Sequence, residues 1–272
     1  MIVNYPRMRR RRVAWPNDLD TALEFSSANP FSISAPKKWN GKLEYTNGSG
    51  WKTWDGSTIA SGEIGNNHCI YLRGSGNSKI TGVNSSNAKW SIIGTNIACN
   101  VDIDLLLDYS TVKSGNHPSM ADYCYAYMFY GCTSLTAAPS LPATTMAIYC
   151  YASMFRGCTS LTAAPSLPAT TLANSCYYYM FYGCTSLTAA PSLPATTLAN
   201  YCYASMFRDC KKIKVSSISS GTYTKSYRIP KSGTGTTGAN SMSDMFTNTG
   251  GTFIGTPKIN TTYYLDESNT IV

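Results

Sequence analysis

Charge is what this 272-residue chain has least of: Lys, Arg, Asp and Glu make up 13% of it, against about 25% in typical globular domains. Tyr, Ser, Thr, Asn and Gly fill the gap. The surface is therefore polar but mostly uncharged, as in many extracellular and virion proteins. Long apolar runs are missing too, since no stretch approaches the roughly 18 apolar residues of a membrane span. Histidine occurs twice, at His68 and His117, each isolated. There is no CxxC pair, no HExxH, no GxSxG and no phosphate loop. "GTGTTG" at Gly233–Gly238 matches the dinucleotide fingerprint in letters only. It follows "RIPKS" instead of a buried strand, and no helix pattern opens behind it. Asp102, Asp104 and Asp108 in "DIDLLLD" lack the glycine of an EF-hand loop. No catalytic residue, no metal and no cofactor is expected.

Positive charge is present but local. The formal net charge is +8, and Arg7, Arg9, Arg10, Arg11 and Arg12 supply five of those charges. After the arginines come Val13, Ala14, Trp15 and Pro16, not the apolar run of a secretory signal. The chain is expected not to enter the secretory route by itself. With Tyr5 and Trp15, the five arginines form a basic, aromatic arm suited to docking on an acidic protein surface. A solvated tail is the plain alternative. Specific nucleic-acid binding is not expected, because no reading fold follows and the positive charge does not continue into the repeats.

What the chain has in abundance is repetition. Cys124, Cys150, Cys176 and Cys202 step by 26 residues, and so do Cys132, Cys158, Cys184 and Cys210. Met128-Phe129, Met154-Phe155, Met180-Phe181 and Met206-Phe207 keep that step, as do Leu135, Leu161 and Leu187. A fixed period of this size marks a repeat architecture whose units bury their inner faces only by stacking. Within "LANSCYYYMFYGC", Leu172 or Ala173, Cys176 and Met180 sit at helical spacing, with Gly183 placed as a C-cap. "TSLTAAPSLPATT" is kept extended by its prolines. Each copy reads as a short helical turn plus an extended segment. The column cysteines read as small buried hydrophobes, although neighbouring copies could also bring them to disulfide distance.

Two positions vary while the core positions hold. Three residues past the first cysteine stand Tyr127, Ser153, Tyr179 and Ser205, and six past it stand Tyr130, Arg156, Tyr182 and Arg208. Read as one helix face, Tyr127, Tyr130, Arg156, Tyr179, Tyr182 and Arg208 are candidate ligand-binding residues, since Tyr and Arg are favoured at hot spots. Duplication of a two-copy block would give the same alternation without a ligand.

The pattern "MFxGCTSLTxxPxLPATTLAxxCYxxMF" over Tyr123–Cys210 resembles the BspA-like leucine-rich-repeat proteins, a group of bacterial surface repeats. "SMSDMFTNTGGTFIGTPKINTTYYL" is similar to their usual ending, and the segment from Phe31 through "IYLRGSG" to the β-rich module that precedes such repeats. The resemblance implies a non-catalytic adhesive role towards cells, matrix proteins or glycans. Strand-like runs "KLEYT", "CIYLRG", "WSIIG" and "VDID" between turn signals read as an antiparallel sandwich, with Trp39, Trp51, Trp54 and Trp90 as its core.

The expected fold is thus an α/β repeat solenoid, leucine-rich-repeat-like, with an N-terminal β-sandwich-like module and a β-rich C-terminal cap. Its expected parts are an arm at 1–22, a β-rich module at 23–105, repeats at 106–213 and a cap at 214–272. The expected function is that of a bacteriophage virion decoration or fibre protein. Its partners would be a capsid or tail protein through the arm and a cell-surface protein or glycan through the repeats. A homo-oligomer fits a fibre, and a bacterial cell-surface adhesin is the alternative.

Overall fold

The computed structural model describes residues 14–272. The first part is a β-module of two sheets. In the larger, Ile97–Asn100, Leu23–Ser27, Asn67–Ser75, Lys42–Thr46 and Lys52–Thr53 lie side by side and antiparallel, Gly62–Ile64 also pairs with Asn67–Ser75, and Leu135–Ala137 of the first copy adds to Ile97–Asn100 in parallel. In the smaller, Ser32–Ser34 runs between Ile59–Ala60 and Ser91–Ile93. Leu23–Ser27 alternates buried and half-buried residues, as a strand with one covered face must. Trp39 stacks on Trp54 at 5.3 Å, and Trp54 meets the edge of Trp90 at 5.2 Å. Trp51 is a correction, because it is not in this core. It lies 3.9 Å from the guanidinium of Arg73 and donates to Asp18 Oδ1 at 2.9 Å. Under the main sheet runs the helix Leu105–Lys113, whose Leu106 carbonyl approaches Gly74 so closely that no Cβ could stand there.

The repeats correct the expected fold class. The described residues are mainly short strands and hydrogen-bonded turns, with only two α-helices, Ser85–Ala88 and Leu105–Lys113, neither of them within the four copies. An α/β repeat solenoid is not what this chain builds. The reason lies in the backbone. Tyr123 and Tyr127, Tyr149 and Ser153, Ser175 and Tyr179, and Tyr201 and Ser205 all have φ between 53° and 61°, and Gly131, Gly157 and Gly183 follow at 72–75°. A left-handed residue at every fourth position cannot occur in a right-handed helix. Each copy is instead a run of four-residue turns. Ala126, Met128, Tyr130 and Cys132 donate N–H bonds three residues back. The N–H groups between them leave the copy altogether. Tyr123, Tyr125, Tyr127, Phe129 and Gly131 donate to the carbonyls of Ile148, Cys150, Ala152, Met154 and Arg156 at 2.8–2.9 Å. A turn period of four mimics the helical 3.6 closely enough to mislead a spacing argument. The proline-bearing segments lack the N–H groups of a full ladder, so copies one and two meet there at a single parallel bridge, Thr145 with Thr171, and copies two and three at another, Ala163 with Ala189.

Stacked side chains fill the copies. Tyr125, Tyr151, Tyr177 and Tyr203 are fully buried, with ring centroids 5.6–5.9 Å apart, and Phe129, Phe155, Phe181, Phe207 and Phe246 stack at 5.5–5.8 Å. Phe246 belongs to a fifth layer, reached after a longer connection, whose Ser241, Ser243 and Met245 carbonyls accept from Tyr203, Ser205 and Phe207. The β-module closes the other end, where Ile80 and Trp90 donate to Cys124 and Met128. After Cys210, Tyr223–Arg228 and Val215–Ser216 flank Thr262–Asp266, and the last strand, Thr270–Ile271, pairs in parallel with Ala189–Ala190. Asn269, fully buried, ties this region to the repeats by donating to the carbonyls of Thr188 and Lys212.

All ten cysteines are buried and free. In the second column the thiols of Cys158, Cys184 and Cys210 donate to the carbonyls of Phe129, Phe155 and Phe181, each at 3.0 Å. Burial pushes the thiols of Cys132, Cys150, Cys184 and Cys202 up to about 12, so none is poised as a thiolate nucleophile. Among the described residues no helix is long and apolar enough to cross a membrane.

Candidate functional site

The six candidate residues of the repeats come together on one outer face, through turns and not through a helix. Tyr130 donates its N–H to Tyr127, and Tyr182 to Tyr179, so each pair closes one four-residue turn. Their rings consequently meet, at 6.2 Å for Tyr127 and Tyr130 and at 5.5 Å for Tyr179 and Tyr182. The second copy supplies the cation between them. The Arg156 guanidinium lies 5.5 Å from the Tyr130 ring, 5.1 Å from Tyr179 and 4.5 Å from Tyr182. Arg208 of the fourth copy lies 5.9 Å from Tyr182, with Nη1 3.7 Å from Asp244 Oδ2 and a buried Nε that has no hydrogen-bond partner.

The alternation now has a physical content. Equivalent positions of successive copies are stacked neighbours, so four arginines in one column would repel, while an arginine between tyrosine rings gains from each. Arg156 is half-buried and forms no ion pair with any described residue. The face therefore presents a preoriented guanidinium framed by phenols. Burial raises the hydroxyl pKa of Tyr127, with Arg156 pulling in the opposite direction. The Tyr127 phenol thus stays a neutral hydrogen-bonding group at physiological pH.

Four further tyrosines belong to this surface and escaped the sequence reading. Tyr123 stacks on Tyr149 at 4.8 Å, and Tyr178 lies 4.0 Å from Tyr179 and 6.5 Å from Tyr201. The signal existed in the column before the first cysteine, Tyr123, Tyr149, Ser175 and Tyr201. Where that column holds serine, Tyr178 replaces the alanine of the other copies and fills the gap.

The anchoring candidates divide. Tyr5, Arg7, Arg9, Arg10, Arg11 and Arg12 lie outside the described residues. Trp15 is placed, and it is not a free docking residue. Its Nε1 donates to Glu63 O at 3.1 Å, and its ring meets Tyr71 edge-on at 5.6 Å. Next to it Asp18 pairs with Arg73 Nη1 at 2.5 Å. Hydrogen bonds from Trp51 and Arg73 hold the Asp18 carboxyl below its ordinary range. The segment from Trp15 onward is thus part of the β-module.

One buried acid stands at the start of the stack. Asp104 is fully buried, accepts from Tyr125 OH at 3.3 Å, and has His117 Nδ1 3.5 Å from an Oδ2 that receives no hydrogen bond. Burial, with Asp102 adding like charge, raises its pKa to about 6. No group of three His, Cys, Asp or Glu side chains able to hold a metal occurs among the described residues. No family model matches the chain, and no curated protein or solved structure matches it significantly.

Proposed function

We propose that the protein is a non-catalytic display protein, a bacteriophage virion decoration or fibre. It attaches to a cell surface through the tyrosine–arginine face and to a capsid or tail protein through the arginine-rich arm. The observation that carries this reading is the outer column itself, in which Tyr130, Arg156, Tyr182 and Arg208 alternate over an invariant buried core. Preoriented arginines and aromatic rings are the groups that dominate binding surfaces. The ten free thiols support the virion reading, since such a chain suits assembly in a reducing cytosol better than passage through an oxidising export route. A bacterial cell-surface adhesin is the second reading, favoured by the resemblance of the repeat to BspA-like surface proteins.

Mass spectrometry of gradient-purified phage particles, alongside protease-shaved cells of the same culture, tests the choice. Stoichiometric peptides are expected in the particles, and release only from intact cells would refute the virion reading in favour of the adhesin. Particles carrying Arg156→Ser and Arg208→Ser should adsorb to host cells roughly tenfold less well. Unchanged adsorption would remove the face from the binding role.

A further inference from the structure

We infer that the C-terminal region holds a separate pocket for a single acidic sugar. This inference is independent of the role proposed for the tyrosine–arginine face. The pocket forms where three parts of the chain meet. In the ladder of Tyr223–Arg228 with Thr262–Asp266, Arg228 stands opposite Thr262 and Ser226 opposite Tyr264. Side chains alternate across a strand, so Ser226, Arg228 and Thr262 share one face. Tyr227 is buried, its hydroxyl donating to the Pro191 carbonyl at 3.0 Å. Ser192 of the third copy, Lys231 and Ile271 of the last strand line the rest of a half-open cavity of about 220 Å³. That is less than the roughly 300–1,000 Å³ of sites for drug-sized ligands. One ring fits within it.

The lining side chains are of one sign, and the neighbouring Val272 carbonyl accepts the Ser192 N–H at 2.7 Å. The lining holds two cations and three aliphatic hydroxyls, and no Asp or Glu. Arg228 is held ready: Nη1 donates to the Pro230 carbonyl at 2.9 Å, while Nη2 reaches Asn260 Oδ1 only at 3.4 Å. Its other guanidinium N–H groups remain for a carboxylate. Lys231 is fixed through its backbone N–H, which donates to Leu193 O at 2.9 Å. Its ammonium forms no ion pair with any described residue. A carboxylate between these cations would leave Ser192, Ser226 and Thr262 to exchange hydrogen bonds with ring hydroxyls, and Ile271 to cover an apolar ring edge. An acidic peptide side chain has no hydroxyls to use those three groups, which is why the lining favours a sugar acid.

Calorimetric and amide-NMR titrations of the full chain with sodium glucuronate, glucose and sodium acetate test this. Glucuronate should bind and shift the amides of Ser226, Arg228 and Thr262, weakening as salt is added. Glucose and acetate should each bind at least roughly tenfold more weakly, the worth of one charge-assisted hydrogen bond. Lys231→Gln should lose a similar factor, and its exposed side chain makes it safe for folding. Arg228→Lys keeps the charge and removes the fork, and should weaken glucuronate. Acetate binding as tightly as glucuronate would reduce the pocket to a bare anion site and overturn the proposal. So would the absence of glucuronate binding, or binding unaffected by Lys231→Gln.

Discussion

Replacing Ser153, Ser175 and Ser205 together, once by glycine and once by alanine, tests the turn architecture. All three are buried, with φ of 55°, 57° and 53°. A side chain in the left-handed region costs about 1–2 kcal/mol. Glycine removes that strain but gives back about 0.4–1 kcal/mol through the freer unfolded chain. It also loses a buried Cβ that alanine keeps, worth about 0.8 kcal/mol. Both variants lose the same hydroxyl, so that term cancels between them. In left-handed turns these terms nearly balance, and the two variants should lie within about 2 kcal/mol of each other over three sites. In right-handed helices alanine is favoured by about 1 kcal/mol per residue in propensity and again by its buried Cβ, or about 5 kcal/mol for three. For a chain of this size 1 kcal/mol moves the melting temperature by about 2–4 °C. The two variants should thus melt within roughly 6 °C of each other, read by circular dichroism and by urea unfolding. An alanine variant that melts roughly 10 °C or more above the glycine variant would refute the turn assignment, because it would mean that the copies are helical after all.

Two more outcomes follow from buried groups. The folded pKa of Asp104 is raised to about 6 from 3.8. The stability it confers is therefore complete below pH 3.8 and lost as pH rises through about 6. Asp104→Asn cannot ionise, so its stability relative to the wild type should grow between pH 4 and 7, by up to about 3 kcal/mol. A difference between the two melting curves that is independent of pH would contradict that assignment. The cysteines should be inert to an aromatic disulfide reagent in the native protein and all ten should react in denaturant. Rapid reaction without denaturant would show that the stack opens readily.

The repeat, its period and its buried set can be read directly from the sequence. Copies of one segment with fixed Cys, Met, Phe and Leu must place those residues equivalently, and an apolar side chain repeated in every copy has nowhere to go but inside. The outer variable positions are legible for the same reason, as the places where side chains change while the core does not. Local conformation is not legible there. Periods of 4 and 3.6 place Leu172, Cys176 and Met180 alike over so short a segment, and nothing in a tyrosine or serine announces a positive φ. The left-handed residues are held by N–H groups that bond the next copy, a condition that exists only once the copies stack. Trp15 and Trp51 illustrate the same limit, since aromatic residues in turn-rich sequence do not reveal whether they join a core, pin a strand or cover an arginine. The pocket around Arg228 was beyond reach of sequence, because the register of two strands and the return of the chain end onto the third copy bring Ser192, Lys231 and Ile271 together. The sequence by itself determined what repeats and what is buried. The backbone turns and the meeting of distant side chains were decided by the tertiary structure, because hydrogen bonds between copies override local preference.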